Sequence, residues 1–250
     1  MKEKKSEKLI LSVGSALFYL LLWHIISVIV GKELLIPSPA KVLSTLISLA
    51  GTKAFYVDTF VSVARVISGL VIALAFGIGA AILTSCSKTL KALFYPLVST
   101  VRATPVASFI ILTLLWIKTT YVPVFISFLM VMPVVWSNIS QGIETADKKL
   151  LQAADVFKFS LSKKIKYIYF PNCVPFFKNS ASSGIGLAWK AGIAAEVICS
   201  PNSAIGSRLY DSKIYLETPE LFAWTATVVV LSILIEKLTV FILNKAFKDY

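Results

Sequence analysis

Residues 150–175, LLQAADVFKFSLSKKIKYIYFPNCVP, interrupt a chain that is otherwise oily. Lys158, Lys163, Lys164 and Lys166 fall within nine positions, and Pro171 and Pro175 follow. Apolar residues run on both sides. Lysines held between apolar runs fit the loops that keep a membrane protein's cytoplasmic side inside. A nucleic-acid binder instead carries its basic residues on one face of a soluble fold. The reading is therefore a membrane protein with no nucleic-acid partner.

The bulk numbers agree. The 250 residues are 57% hydrophobic and 15% charged, with mean hydropathy +0.80. A soluble domain runs nearer about 45–50% apolar and about 25% charged. The net charge is +12. Cys86, Cys173 and Cys199 have no metal-type spacing and read as small apolar side chains. No metal site is expected.

A spanning helix takes roughly 20 apolar residues. Six stretches qualify: about 9–30, 58–84, 94–117, 121–141, 172–198 and 221–243. The first follows MKEKKSEK but is too long for a signal peptide's apolar region, so it is read as an uncleaved span. Pro105 interrupts the third, and Pro123 and Pro133 lie in the fourth. The fold class is all-α, one polytopic membrane domain over 1–250 with no internal repeat. If the N-terminus is inside, inner segments hold fourteen lysines and outer ones six basic residues. That asymmetry puts both termini and the loop 142–171 in the cytoplasm. Residues 40–50 form an amphipathic segment at the outer interface, and 199–219 reads as an exposed outer loop.

The loop 142–171 is more than charge. Ala146, Leu150, Leu151, Ala154 and Phe157 recur at helical spacing, which predicts a short amphipathic helix over about 145–158, with Thr145 as its cap. Such a stripe lies on lipid or docks in a partner's groove.

This segment resembles the cytoplasmic EAA loop of ABC importer permeases, on Gln152-Ala153-Ala154, Phe170-Pro171 and the preceding Gly142. It departs from the pattern at Gln152, where glutamate is usual, and at Lys158, where glycine is common. The stretches 101–117 (VRATPVASFIILTLLWI), 184–198 (GIGLAWKAGIAAEVI) and 205–236 are similar to those of the nitrate/sulfonate/taurine-type subgroup, and the likeness covers about 60–250. The resemblance implies a short cytoplasmic coupling helix between spans four and five, bearing Ala146, Leu150, Gln152, Ala153, Ala154, Phe157, Lys158 and Pro171. It implies ABC ATPase subunits as partners, an extracytoplasmic binding protein, a homodimer of permeases and a bacterial-type plasma membrane. It further implies a small solute, such as a sulfonate-, nitrate- or taurine-like anion or a vitamin precursor. The chain carries no G-x-x-x-x-G-K-[ST] loop, so ATP and Mg belong to the partner ATPase and no cofactor is expected here.

Charges within spans pair or line a path, because a lone one costs at least about 2.5–3.5 kcal/mol near the midplane. Arg102, Lys190 and Glu196, with Thr104, Ser108 and Trp189, are the candidate path residues, and interhelical pairing or packing is the competing role. Arg65 reads as structural. Trp23, Trp116, Trp136 and Trp224 are candidate interfacial anchors. A self-contained secondary transporter or channel is the alternative function. A membrane enzyme finds no support, since His24 is the sole histidine.

Overall fold

A computed structural model describes residues 2–248. Among the described residues there are helices and connections but no strand. In chain order they are α1 (Lys2–Val30), α2 (Pro39–Ala50), α3 (Lys53–Cys86), α4 (Lys88–Ala103), α5 (Val106–Thr113), α6 (Val122–Glu144), α7 (Lys148–Val156), α8 (Leu161–Lys164), α9 (Phe170–Cys199), α10 (Ile205–Ile214) and α11 (Thr218–Ala246). A π-helical turn, Ile165–Tyr169, joins α8 to α9.

Local chemistry sets several boundaries. The hydroxyls of Ser38, Thr52 and Ser87 accept from the backbone N–H of Lys41, Phe55 and Leu90, capping α2, α3 and α4. The π turn sits just before Pro171, which has no N–H to give and whose ring crowds the preceding turn. Widening that turn lets the chain continue as helix.

The centre is α6, packed between α3 and α9. Glycines let these backbones approach. A Cβ on Gly69 would lie 2.5 Å from the Val124 carbonyl oxygen, and one on Gly77 would lie 2.7 Å from Val135. One on Gly192 would lie 2.7 Å from Ser127. These contacts show α3 and α6 running in the same direction and α9 running against them. The chain between α3 and α6 therefore returns from one end of the core to the other. Val66, Leu70, Val131, Val135, Ile185 and Trp189 fill the shared core. Outward-facing residues such as Phe60, Val71 and Phe76 are apolar, as a lipid-facing surface requires.

Helices α3, α6 and α11 are each long and apolar enough to cross a membrane, and α4 with α5 makes a fourth candidate if the bent pair counts as one. The described fold is that of a multi-pass membrane protein. The interruption expected at Pro105 within 94–117 is a sharp bend: α4 and α5 meet at 103°. Pro105 is the cause, because it forces Thr104 into an extended conformation and stops the helix. The helix anticipated over 145–158 is shorter. Its cap is Asp147, whose carboxylate accepts from Lys149 N–H at 2.7 Å. Thr145 instead donates its hydroxyl to the Gln141 carbonyl. The outer loop 199–219 is not simply exposed either. It contains α10, whose Ile205 and Gly206 are buried. Trp224 is buried, stacked on Phe55, rather than an interfacial anchor.

Candidate functional site

The two ends of the α3–α6–α9 core carry different chemistry. At the end where α9 finishes, the Arg65 guanidinium on α3 meets the Glu196 carboxylate on α9 at 3.2 Å. Glu196 is 0% exposed and Arg65 9%. Both oxygens of the Glu196 carboxylate have partners. Ser62 donates to Glu196 Oε2 at 2.7 Å, and Gly206 N–H donates to the same oxygen at 3.2 Å. Ser62 also accepts from Ile205 N–H. Arg65 donates to the carbonyls of Asn202 and Ser203 at 3.0 and 3.1 Å. The first turn of α10 thus sits on a carboxylate, where its free N–H groups and dipole favour negative charge. A second pair, Arg208 Nε to Asp58 Oδ2 at 2.7 Å, fastens α10 to α3. Gly206 is required by space alone, since a Cβ there would lie 2.3 Å from Glu196 Cβ.

Lys190 lies on a different face of α9. It is exposed and makes no hydrogen bond or ion pair among the described residues. Asn179, Ser183, Leu187 and Lys190 are exposed at successive helical turns, while Ser180, Ile185, Trp189 and Glu196 are buried. Trp189 is 2% exposed and donates Nε1–H to the Val228 carbonyl on α11. The structure therefore separates residues that the sequence placed together. Glu196 and Trp189 belong to the packed side of α9, and Lys190 to the open side. Arg102 and Ser108 are exposed and Thr104 half-buried. Arg102 donates to the Pro133 carbonyl at 2.8 Å, tying α4 to α6. Ile110 on α5 joins a cluster with Ala191 and Ala195, so α5 lies beside α9.

At the opposite end α7 projects between α6 and α9. Ala146, Ala154 and Ile168 are buried together, with Leu151 and Tyr169 against them. Asn172 donates to the Gly142 carbonyl at 2.6 Å. Lys164 pairs with Asp155 and Lys91 with Glu144. The apolar stripe is thus divided. Ala154 on α7 packs with Ala146 and with Ile168 of the π turn, while Leu150, Val156 and Phe157 are 54%, 79% and 75% exposed. Gln152, Ala153 and Lys158 are also exposed, and Pro171 is half-buried at the start of α9. Lys158 stands at φ +52° just past the end of α7. Phe159 N–H bonds back to the Ala154 carbonyl and Lys158 N–H to the Asp155 carbonyl. This is the left-handed helix stop that favours glycine.

The sequence did not show that Arg65 and Glu196 are partners, nor Asp58 and Arg208. The partners lie 131 and 150 positions apart. The only available signal was the presence of opposite charges at the ends of different spans.

The described residues thus form a helical membrane protein with an exposed apolar helix, α7, at one end and α10 clamped by ion pairs at the other. The match to known proteins agrees: the family described as binding-protein-dependent transport system inner membrane component matches residues 73–248, and the chain belongs to it. It is the permease subunit of an ABC-type importer. Similar proteins include the taurine transport system permease protein TauC of Escherichia coli, 24% identical over 239 residues, covering 92% of this chain and 86% of that one. The bicarbonate transport system permease protein CmpB of Synechococcus elongatus is 25% identical, covering 84% of this chain and 79% of its own. The putative aliphatic sulfonates transport permease protein SsuC of Bacillus subtilis is 24% identical, covering 81% and 74%.

Proposed function

We propose that this permease carries a small anionic or zwitterionic solute, delivered by an extracytoplasmic binding protein, along a path lined by the open face of α9, and that α7 couples it to a separate ATPase. The observation that carries the coupling is the division of the α7 stripe. Ala154 ties α7 to Ile168 in the turn that leads into α9, so a push on α7 is passed to α9, and the exposed Leu150, Val156 and Phe157 are free to enter a groove on a partner. ATP and Mg act on that partner. In this reading α7 and both termini lie on the inner side, as the lysine asymmetry of the loops favours. Six crossings follow if α1, α9 and the bent α4–α5 pair are each counted with α3, α6 and α11. The open face of α9 then meets its counterpart in a second copy, enclosing a path. Lys190, Asn179 and Ser183 line it, with Arg102, Thr104 and Ser108 on the neighbouring bent span. Glu196 and Trp189 support it from behind. The relatives named for taurine, bicarbonate and aliphatic sulfonates favour a solute with an anionic group.

The test uses the chain co-expressed with its ATPase. The double variant Leu150→Asp/Phe157→Asp, which leaves the buried Ala154 in place, should lose at least about 90% of transport-linked ATP hydrolysis and of ATPase co-purification. Retention of both at wild-type levels overturns the coupling role.

A further inference from the structure

The loop that carries α7 leaves α6 and returns as α9, so a force on α7 reaches the helix bundle at two places. One is Ala146, just past the end of α6. The other is Ile168, in the π turn ahead of α9. Both are buried in one cluster with Ala154 of α7.

The end of α6 leaves one carbonyl without a backbone donor. Thr145 N–H donates to the Gln141 carbonyl and Ala146 N–H to that of Ile143, so neither serves Gly142. Asn172, in the first turn of α9, does. Its Nδ2 donates to the Gly142 carbonyl at 2.6 Å and to the Thr145 hydroxyl oxygen at 3.3 Å. Gly142 makes the approach possible, since a Cβ there would lie 3.0 Å from the Phe176 ring and 3.2 Å from Cys173 Sγ. The bond joins positions 30 residues apart and closes the base of the loop.

That placement has a mechanical consequence. The α6 and α9 helices run in opposite directions, and packed helices yield by small sliding movements. Pushes that enter separately at Ala146 and Ile168 can therefore shear one helix past the other. A hydrogen bond across the joint resists the slide, because it weakens steeply once its length and angle change.

We propose that Asn172 is a positioning residue of the coupling step: it fastens the end of α6 to the start of α9, so that a push on α7 moves both as one body. This rests on the reading that α7 meets an ATPase. The chemistry needs a short side chain with an N–H to give. An aspartate has nearly the same shape, but when ionised it has no proton to donate and sets its charge against a carbonyl.

Spin labels at Gln141→Cys and Tyr167→Cys, both exposed positions, report on the two sides of the joint. Cys86, Cys173 and Cys199 are first replaced by alanine. The labelled full-length chain is diluted into unlabelled chain and purified with its co-expressed ATPase. Pulsed electron paramagnetic resonance then gives the distance with and without ATP, Mg and vanadate. With Asn172 in place the distance should agree within about 1 Å between the two conditions. Asn172→Asp should match it without nucleotide and depart by about 2 Å or more with nucleotide. Asn172→Gln, which keeps the donor, should behave as the parent. Asn172→Ala removes the amide without adding charge; it should depart like Asn172→Asp, and it decides the matter if that variant does not assemble. A tie that served stability alone would change the distance equally in both conditions, and that result overturns the proposal. So does a nucleotide-dependent departure with Asn172 intact, and so does none in Asn172→Ala. Failure of the coupling reading shows separately, as ATPase co-purification retained by Leu150→Asp/Phe157→Asp.

Discussion

Lys158 occupies a backbone conformation that an L-residue with a Cβ enters at a cost of roughly 1–2 kcal/mol. Glycine pays no such penalty, which gives a physical reason for glycine being common at this place in the EAA loop. Leu216 repeats the arrangement at the far end of the core, with φ +60° after α10 and Glu217 N–H bonded back to the Ser212 carbonyl. Lys158→Gly is expected to raise the unfolding free energy of the purified chain by about 1 kcal/mol, read as a higher melting temperature in detergent. An unchanged or lower melting temperature would show that the lysine side chain compensates for its own backbone. Gln152, the other departure from the loop pattern, is exposed and neutral. It offers hydrogen bonds but no ionic contact.

At the scale of elements, α10 is the piece whose position depends most on polar contacts. Arg65, Glu196, Ser62 and the first N–H groups of α10 form a closed set in which each group satisfies another. Removing one member leaves a buried charge or acceptor without compensation. Arg65→Met is therefore expected to cost about 3–5 kcal/mol, and Glu196→Gln less, because glutamine still accepts from Ser62 and Gly206. Thermal melting of the two variants side by side checks the order. A larger loss in Glu196→Gln than in Arg65→Met would contradict it. The α4–α5 bend is governed differently, by Pro105 alone. A proline is visible in a sequence, but the 103° angle between the helices it separates is not.

For the whole molecule, α9 divides into a packed and an open side, and the proposed path takes the open one. The negative charge of Glu196 is neutralised within the packed side by Arg65, whereas Lys190 is left uncompensated on the open side. The proposed path then carries net positive charge, which attracts anions and repels cations. Lys190→Glu is expected to reduce uptake of an anionic substrate by reconstituted vesicles at least about tenfold, with ATPase co-purification unchanged. Lys190→Arg should keep most of the activity. Equal uptake by wild type and Lys190→Glu would remove Lys190 from the path.

The sequence by itself determined the class and the family resemblance. Both rest on signals local to the chain: long apolar runs, lysines in the loops between them, a helical stripe in 145–158 and ordered motifs. It also located the short helix α7, because amphipathic spacing and charge are short-range properties. Tertiary structure alone decided which residues of each stripe point in and which point out. Ala154 and Phe157 are equivalent by periodicity, yet one is 4% exposed and the other 75%. Glu196 and Lys190 are both charges in one helix, yet one is locked to Arg65 and the other is open. Helical periodicity groups residues by face, but which face meets a neighbour depends on other elements, nearby for Ala154 and 131 positions away for Glu196. No local signal carries that information.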